Sequence, residues 1–325
     1  MMSFDMQTWI SVAAFTGGGL AMGLGAIGAA IGEGFTAAQA NEAISRSPKL
    51  AGDIFKSMLM GQAIAESASI FALVVAMLLL FTKFSADTWL MVCVVLSAGL
   101  SMGFGAIGAG VGAGFPAGAA CKGMSRQPGV SNRLTTNMLI GSAVCQTPAI
   151  FALVSAFVLL FTNFSARPVS PTWAAILGAG LASGLAAIGA GIGSGLVAES
   201  GCEGIARQPE SMSTVTNVML LGQAVTQTTA IYGLLISFIL IFRETAATEA
   251  IAPTMALLGA GLCMGIGAIG PGVGEGFAAR SAVSWIARNK SATVEITRVM
   301  LVGQAVSEST GIYSLVIALV LIFVV

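Results

Sequence analysis

Four carboxylates stand inside long apolar stretches of this chain: Glu33, Glu66, Glu275 and Glu308. They form two pairs with identical spacing, Glu33 with Glu66 and Glu275 with Glu308. A charged side chain at mid-bilayer costs at least about 2.5–3.5 kcal/mol, so an acid kept at that depth is read as functional. Gln62, Ser67, Gln304, Ser309, Thr310 and Tyr313 add oxygen-bearing side chains around them. Carboxylate, hydroxyl and carbonyl oxygens together suit a hard cation. No Lys or Arg lies at the same depth, so the counter-charge is a proton, a metal cation or a residue of another protein. A bound Na⁺ would hold one acid of a pair as carboxylate while the other keeps its proton. The plainer alternative is a protonated Glu acting as a hydrogen-bonding tie between helices.

These acids recur because the sequence recurs. GAIGAAIGEGF at 25–35 returns as GAIGAGVGAGF at 105–115, AAIGAGIGSGL at 186–196 and GAIGPGVGEGF at 267–277. MGQAIAESASIF at 60–71 returns as IGSAVCQTPAIF, LGQAVTQTTAIY and VGQAVSESTGIY, ending at Phe151, Tyr232 and Tyr313. Four homologous units are tiled end to end. Each holds two apolar stretches longer than the roughly 20 residues a bilayer requires. The polar turns between them are SRSPKL, SRQPGV, ARQPES and ARNKSA, and Pro48, Pro128 and Pro209 suit the first turn of a returning helix. The fold class that follows is an all-α membrane protein of eight transmembrane helices, arranged as four tandem helical hairpins: 1–84, 85–168, 169–248 and 249–325. Each unit contains two spans, so the repeats are parallel, unlike the inverted repeats of many transporters.

Composition agrees. Of 325 residues 56% are hydrophobic and 9% charged, and 42 are glycine. Fourteen bases balance fourteen acids, so nothing points to nucleic acid. Histidine is absent, which removes the commonest general base and zinc ligand. Cys93, Cys121, Cys145, Cys202 and Cys263 stand singly in or beside apolar segments, as inert buried thiols do. Met1 to Trp9 carries Asp5 and no base, which argues against a cleaved signal peptide. All Lys and Arg except Lys83, Arg167 and Arg243 lie in or beside the intra-hairpin turns. The positive-inside rule then places the turns in the cytoplasm and both termini on the opposite side.

Glycine recurs through each first helix, as at Gly23, Gly25, Gly28, Gly32 and Gly34, so that backbones can crowd together. The second helices end in Leu, Ile, Phe and Val and suit lipid.

GxGxGxGEG on a first helix, an A-R-Q-P turn and GQAxxESTGIY on a second resemble the c subunit of rotary ATPases, the proteolipid of the membrane rotor ring. The likeness covers essentially the whole chain, four times over. It implies a multi-copy ring, homo-oligomeric or shared with other c subunits. It further implies a stator a-type subunit supplying an arginine, central stalk subunits of the ATPase head, and surrounding membrane lipids. The resemblance to sodium-translocating members implies ion ligands at Glu275, Glu308, Val306, Ser309, Thr310 and Tyr313 in hairpin four. In hairpin one it implies Glu33, Ile64, Glu66 and Ser67, with Ala68 and Phe71 replacing Thr and Tyr, a departure that lowers the expectation of sodium there. The ion, Na⁺ in preference to H⁺, would bind at Glu66 and Glu308.

Hairpins two and three carry Gln146 and Gln227 at the essential position, and Ala113 and Ser194 in place of the first-helix acid. They are expected to be silent. Since the family takes carbonyl and hydroxyl ligands from a neighbouring hairpin, Val144, Thr147, Val225 and Thr228 are possible ligands for adjacent sites. Pro148 removes the helical hydrogen bond to the Val144 carbonyl, which frees that oxygen to face a cation. Arg46, Arg126, Arg207 and Arg288 are candidate stalk contacts, although the positive-inside bias also places arginines there.

No phosphate-binding loop occurs, so nucleotide chemistry belongs to a partner and this chain is a non-catalytic, ion-translocating component. The rival readings are a proton-translocating ring, a secondary cation antiporter using the paired acids, and a passive pore. The glycine faces are apolar where a pore would need polar lining.

Overall fold

The computed structural model describes residues 5–84 and 87–324. The boundary between hairpins one and two, the first four residues and Val325 fall outside this range or at its edge.

Eight membrane-length helical spans are present, joined as four hairpins. The first helices are α1 (Met6–Arg46), α3 (Trp89–Arg126), α6 (Val169–Arg207) and, in two pieces, α9 (Ile251–Gly267) with α10 (Ile269–Arg288). The returning helices are α2 (Ala51–Phe81), α4 (Ser131–Cys145) with α5 (Thr147–Phe161), α7 (Met212–Thr226) with α8 (Thr228–Phe242), and α11 (Thr293–Phe323). In an apolar medium every backbone amide must be satisfied within the segment, which keeps glycine-rich stretches helical despite their low propensity. Asp5 caps α1 by accepting from the Thr8 amide at 3.0 Å. Arg46, Arg126, Arg207 and Arg288 sit in the last turns of their helices, where a cation offsets the exposed carbonyl ends.

Each intra-hairpin turn is one short 3₁₀ segment: Pro48–Leu50, Pro128–Val130, Pro209–Ser211 and Lys290–Ala292. The three prolines open those segments, as expected from their fixed φ.

Packing places the helices in two rows. In one, α1 lies against α3, α3 against α6, and α6 against α9 and α10. In the other, each returning helix covers the seam between its own first helix and that of the next hairpin: α2 touches α1 and α3, α4 touches α3 and α6, and α7 touches α6 and α10.

Glycine makes the first row possible at repeating points. A methyl added at Gly28 would strike the Ile107 carbonyl, one at Gly108 the Ile188 carbonyl, and one at Gly189 the Ile269 carbonyl. The expected role of all five named α1 glycines is corrected in part. Gly25, Gly28 and Gly32 are in close contact, whereas nothing lies within 4 Å of a methyl at Gly23 or Gly34. Their equivalents Gly103 and Gly114 do meet the preceding hairpin, at Leu20 and Gly32. Gly23 and Gly34 lie on the flank of hairpin one, where no preceding hairpin exists within the chain.

The returning helices expose large apolar side chains near their ends, among them Leu73, Met77 and Phe81 on α2 and Val316, Ile317 and Phe323 on α11. This fits the expected lipid-facing role.

Candidate ion-binding site

A side-chain amide on each of three returning helices reaches the carbonyl of the first-helix site residue and so sets the register: Gln62 Nε2 to Glu33 O (3.2 Å), Gln223 Nε2 to Ser194 O (3.1 Å) and Gln304 Nε2 to Glu275 O (3.3 Å). In hairpin two the Ser142 hydroxyl donates to Ala113 O at 3.2 Å. The critical position of the returning helix lies one turn further along, level with the first-helix site. In hairpin three this level is bridged directly, Gln227 Nε2 standing 2.5 Å from Ser194 Oγ.

In hairpin four the Glu275 side chain is fully buried and neither carboxyl oxygen has a partner. Glu308 is half-buried, and its Oε1 accepts a 2.6 Å hydrogen bond from the Tyr232 hydroxyl of hairpin three. The sequence marks Tyr232 only as the end of a repeat string. Its motif position is visible there, but its partner lies 76 residues away and is set by how hairpins pack side by side.

That contact joins the acid of hairpin four to a residue of the preceding hairpin. Tyr313 is 66% exposed and Val306 67%, both on the outer flank of α11, and neither faces its own Glu308 across the hairpin. Ser309 and Thr310 donate to the Val306 and Ser307 carbonyls of their own helix. The equivalents from the preceding hairpin are Val225, Thr228 and Tyr232. Thr228 Oγ1 donates to the Val225 carbonyl at 2.8 Å, so both oxygens sit together at the α7–α8 junction.

The same displacement governs hairpin one. Glu66 is exposed on the flank of hairpin one that faces away from hairpin two, and Glu33 is half-buried. Ile64 and Ser67 point the other way: the Ile64 carbonyl accepts from Gln146 Nε2 at 3.0 Å, and Ser67 Oγ donates to that same carbonyl at 2.7 Å. Phe71 occupies on α2 the register that Tyr232 occupies on α8.

The Val144 carbonyl is approached at 3.5 Å by Gln227 Nε2 of the next hairpin. The helix breaks at Gln146 and again at Gln227, where no proline follows, so Pro148 alone is not the cause.

The four turn arginines are spread over different surroundings. Arg46 pairs with Glu42 at 2.5 Å, Arg207 with Glu203 at 3.2 Å, and Arg288 lies 4.6 Å over the Trp285 ring. Arg126 is exposed at the end of α3. Another acid, Glu199 of α6, is paired with Arg280 at 3.0 Å, tying α6 to α10.

Four stretches of the chain, 16–79, 96–159, 177–240 and 258–321, match the family of the ATP synthase C subunit, one within each hairpin. The chain belongs to the ATP synthase c-subunit family. Among curated relatives, the ATP synthase c subunit of Petrotoga mobilis is 57% identical over 68 residues, which is 21% of this chain and 71% of that protein. That of Thermotoga maritima is 56% identical over 68 residues, 21% of this chain and 80% of that protein. That of Natranaerobius thermophilus is 48% identical over 79 residues, 24% of this chain and 91% of that protein. One hairpin here thus corresponds to most of a relative, and this member of the family is a fusion of four. It is an integral, multi-pass membrane protein and an ion-translocating rotor component of an ATP synthase.

Proposed function

We propose that this rotor protein carries Na⁺ at two sites per chain, one centred on Glu308 and one on Glu66. The observation that carries the reading is the Glu308 site. A buried, unpartnered Glu275 carboxyl shares its level with Glu308, whose own carboxyl takes the Tyr232 hydroxyl; the Thr228 hydroxyl, bonded to the Val225 carbonyl, lies one turn before Tyr232 on the same returning span of hairpin three. Carboxyl, carbonyl and hydroxyl oxygens with no basic side chain among them make a donor set suited to a hard cation. A buried carboxyl without a partner is costly, and a bound cation removes the cost.

The Glu66 site is completed by a second copy. Hairpin four of one copy abuts hairpin one of the next, bringing Val306, Ser309 and Tyr313 to Glu33 and Glu66. The flank glycines support this arrangement. Gly23 and Gly34 on one edge and Gly270 on the other have open space where their repeats within the chain have a neighbour's backbone. Copies joined in this way close into a homomeric ring.

As the ring turns, each carboxylate exchanges its ion with a stator a-type subunit whose arginine displaces it. The turns face the cytoplasm, and Arg46, Arg126, Arg207 and Arg288 lie toward the central stalk. With two ion sites in four hairpins, fewer ions move per ATP than in a ring with a carboxylate in every hairpin. This favours a hydrolysis-driven pump that builds a steep gradient.

Carbodiimide labelling of the purified ring tests the reading. Glu66 and Glu308 are expected to react, and Na⁺ to protect both. Labelling that responds to pH and not to Na⁺ would make the ion a proton.

A further inference from the structure

Four joints follow from the head-to-tail ring, three within the chain and one between copies, and they are of two kinds. At the joint of hairpins three and four, Glu308 meets Tyr232. At the joint of hairpins one and two, Gln146 Nε2 donates to Ile64 O at 3.0 Å and to Ala109 O at 3.3 Å. At the joint of hairpins two and three, Gln227 Nε2 lies 3.5 Å from Val144 O and 2.5 Å from Ser194 Oγ. In both glutamine joints the donating NH₂ bridges the preceding hairpin's carbonyl, at the position of Val225 in the Glu308 site, to an oxygen of its own first helix. At Gln227 that second oxygen belongs to Ser194, the register equivalent of Glu275, the locus a cation would take; at Gln146 it belongs to Ala109, one turn before the equivalent Ala113. Gln146 and Gln227 are 6% and 7% exposed, so the bridges are closed from solvent.

The tyrosines follow the same division. The chain has two, Tyr232 and Tyr313. By register Tyr232 serves Glu308 and Tyr313 serves Glu66 of the next copy, while Phe71 and Phe151 stand beside Gln146 and Gln227. A phenol is placed only where the neighbour is a carboxyl.

Building on the carboxylate reading of Glu66 and Glu308, we propose that the Gln146 and Gln227 carboxamides are permanent stand-ins for the transported cation. They hold two of the four joints shut in the loaded arrangement, so that these joints pass the stator without taking up or releasing an ion. A neutral NH₂ group supplies two hydrogens to the two oxygens a cation would bridge, and nothing in it can be exchanged. The rival possibility is a cation bound through the buried, unpartnered Oε1 atoms of these glutamines. Ala113, Ser194, Phe71 and Phe151 offer no anion to neutralise it, and an uncompensated charge there carries the full cost of burial.

Cys145 is a built-in reporter of the joint between hairpins two and three, being fully buried with its sulfur 3.8 Å from Gln223 Nε2. The assembled ring would be treated with a maleimide and Cys145 alkylation followed by peptide mass spectrometry. ²²Na⁺ binding per chain would be measured in parallel. In the wild type, alkylation should be slow and unaffected by Na⁺, with no more than two ions bound per chain. Gln227→Leu removes the bridge and should speed alkylation about tenfold or more, as expected for loss of buried hydrogen bonds. Gln227→Glu keeps the size and should make alkylation ion-dependent, fast in the absence of Na⁺ at alkaline pH and slow again with Na⁺ or on acidification, each rate normalised to wild type at the same pH.

More than two ions per wild-type chain, or wild-type alkylation that slows with Na⁺, would overturn the proposal. So would a Gln227→Leu ring that assembles and alkylates at the wild-type rate, or a Gln227→Glu ring indifferent to both Na⁺ and pH. If Gln227→Glu responds to pH and not to Na⁺, and no ²²Na⁺ binds, the sodium reading falls while the stand-in role of glutamine holds.

Discussion

The Tyr232 hydroxyl donates to Glu308 Oε1 at 2.6 Å, across the boundary between hairpins three and four. The tyrosine and the acid of one repeat motif therefore do not serve one site. Ile64 O and Val144 O likewise meet Gln146 and Gln227 of the next hairpin, so the critical side chain of hairpins two, three and four faces the hairpin before it.

This relationship makes a crossed prediction. Tyr232→Phe should weaken Na⁺ protection of Glu308 against carbodiimide about tenfold, since a hydrogen bond to a charged group contributes roughly 1.5–3 kcal/mol, and should leave Glu66 unchanged. Tyr313→Phe should do the reverse. Loss of protection at both acids in either variant would show that the tyrosines act within their own hairpins.

Glycine substitutions should separate folding of the chain from assembly of copies. Gly108→Ala drives a methyl into the Ile188 carbonyl and should destabilise the chain itself by roughly 1–3 kcal/mol, or more if α3 and α6 cannot part. Gly34→Ala and Gly270→Ala meet nothing within 4 Å in the chain, so they should leave its stability unchanged or raised by up to about 1 kcal/mol, as Ala favours a helix over Gly, and block ring formation. Native mass spectrometry in detergent, with thermal unfolding of the dispersed chain, reads both effects.

Gln223 holds the joint between hairpins two and three by donating to Gly141 O at 3.0 Å and Ser194 O at 3.1 Å. Gln223→Ala removes both interhelical hydrogen bonds and leaves a void in an apolar interior, and about 1–3 kcal/mol of stability should be lost. Chemical denaturation in mixed micelles measures this. Gln62→Ala removes one such bond on the open flank, Gln62 Nε2 to Glu33 O, and should cost less in the dispersed chain.

Arg280→Ala strips Glu199 of its ion-pair partner, while Glu199 itself is only 15% exposed. With Arg280 41% exposed the pair is screened, so the loss should be about 1 kcal/mol. Glu199→Gln in the same chain should recover most of it. A thermal-unfolding double-mutant cycle in which Glu199→Gln fails to rescue Arg280→Ala would show that the arginine matters for its packing, not its charge.

Periodicity of sequence and hydropathy reaches a long way into this protein. Four repeats, eight spans, three proline-opened turns and the level of Glu275 with Glu308 are all legible, because helix rise and bilayer thickness convert residue counts directly into depth. Gly28 and Gly32 are legible as contact points, but Gly23 and Gly34 look identical to them along the helix. Their difference arises from which flank of the chain they occupy, and a one-dimensional repeat carries no record of its own edges.

The partners of Glu308 are set in another way. Membrane depth fixes that Tyr232, Tyr313, Thr228 and Ser309 all lie near the acid level, and proximity within the motif assigns Tyr313 to its own hairpin. Lateral packing assigns Tyr232 instead, because each returning helix settles over the seam with the next hairpin and turns its ligand-bearing edge across that seam. The amino-acid sequence determined the chemistry and the height of each group above the turns. The side-by-side packing of hairpins determined which groups meet, since neighbours in a row of repeats are related by contact between helices and not by distance along the chain.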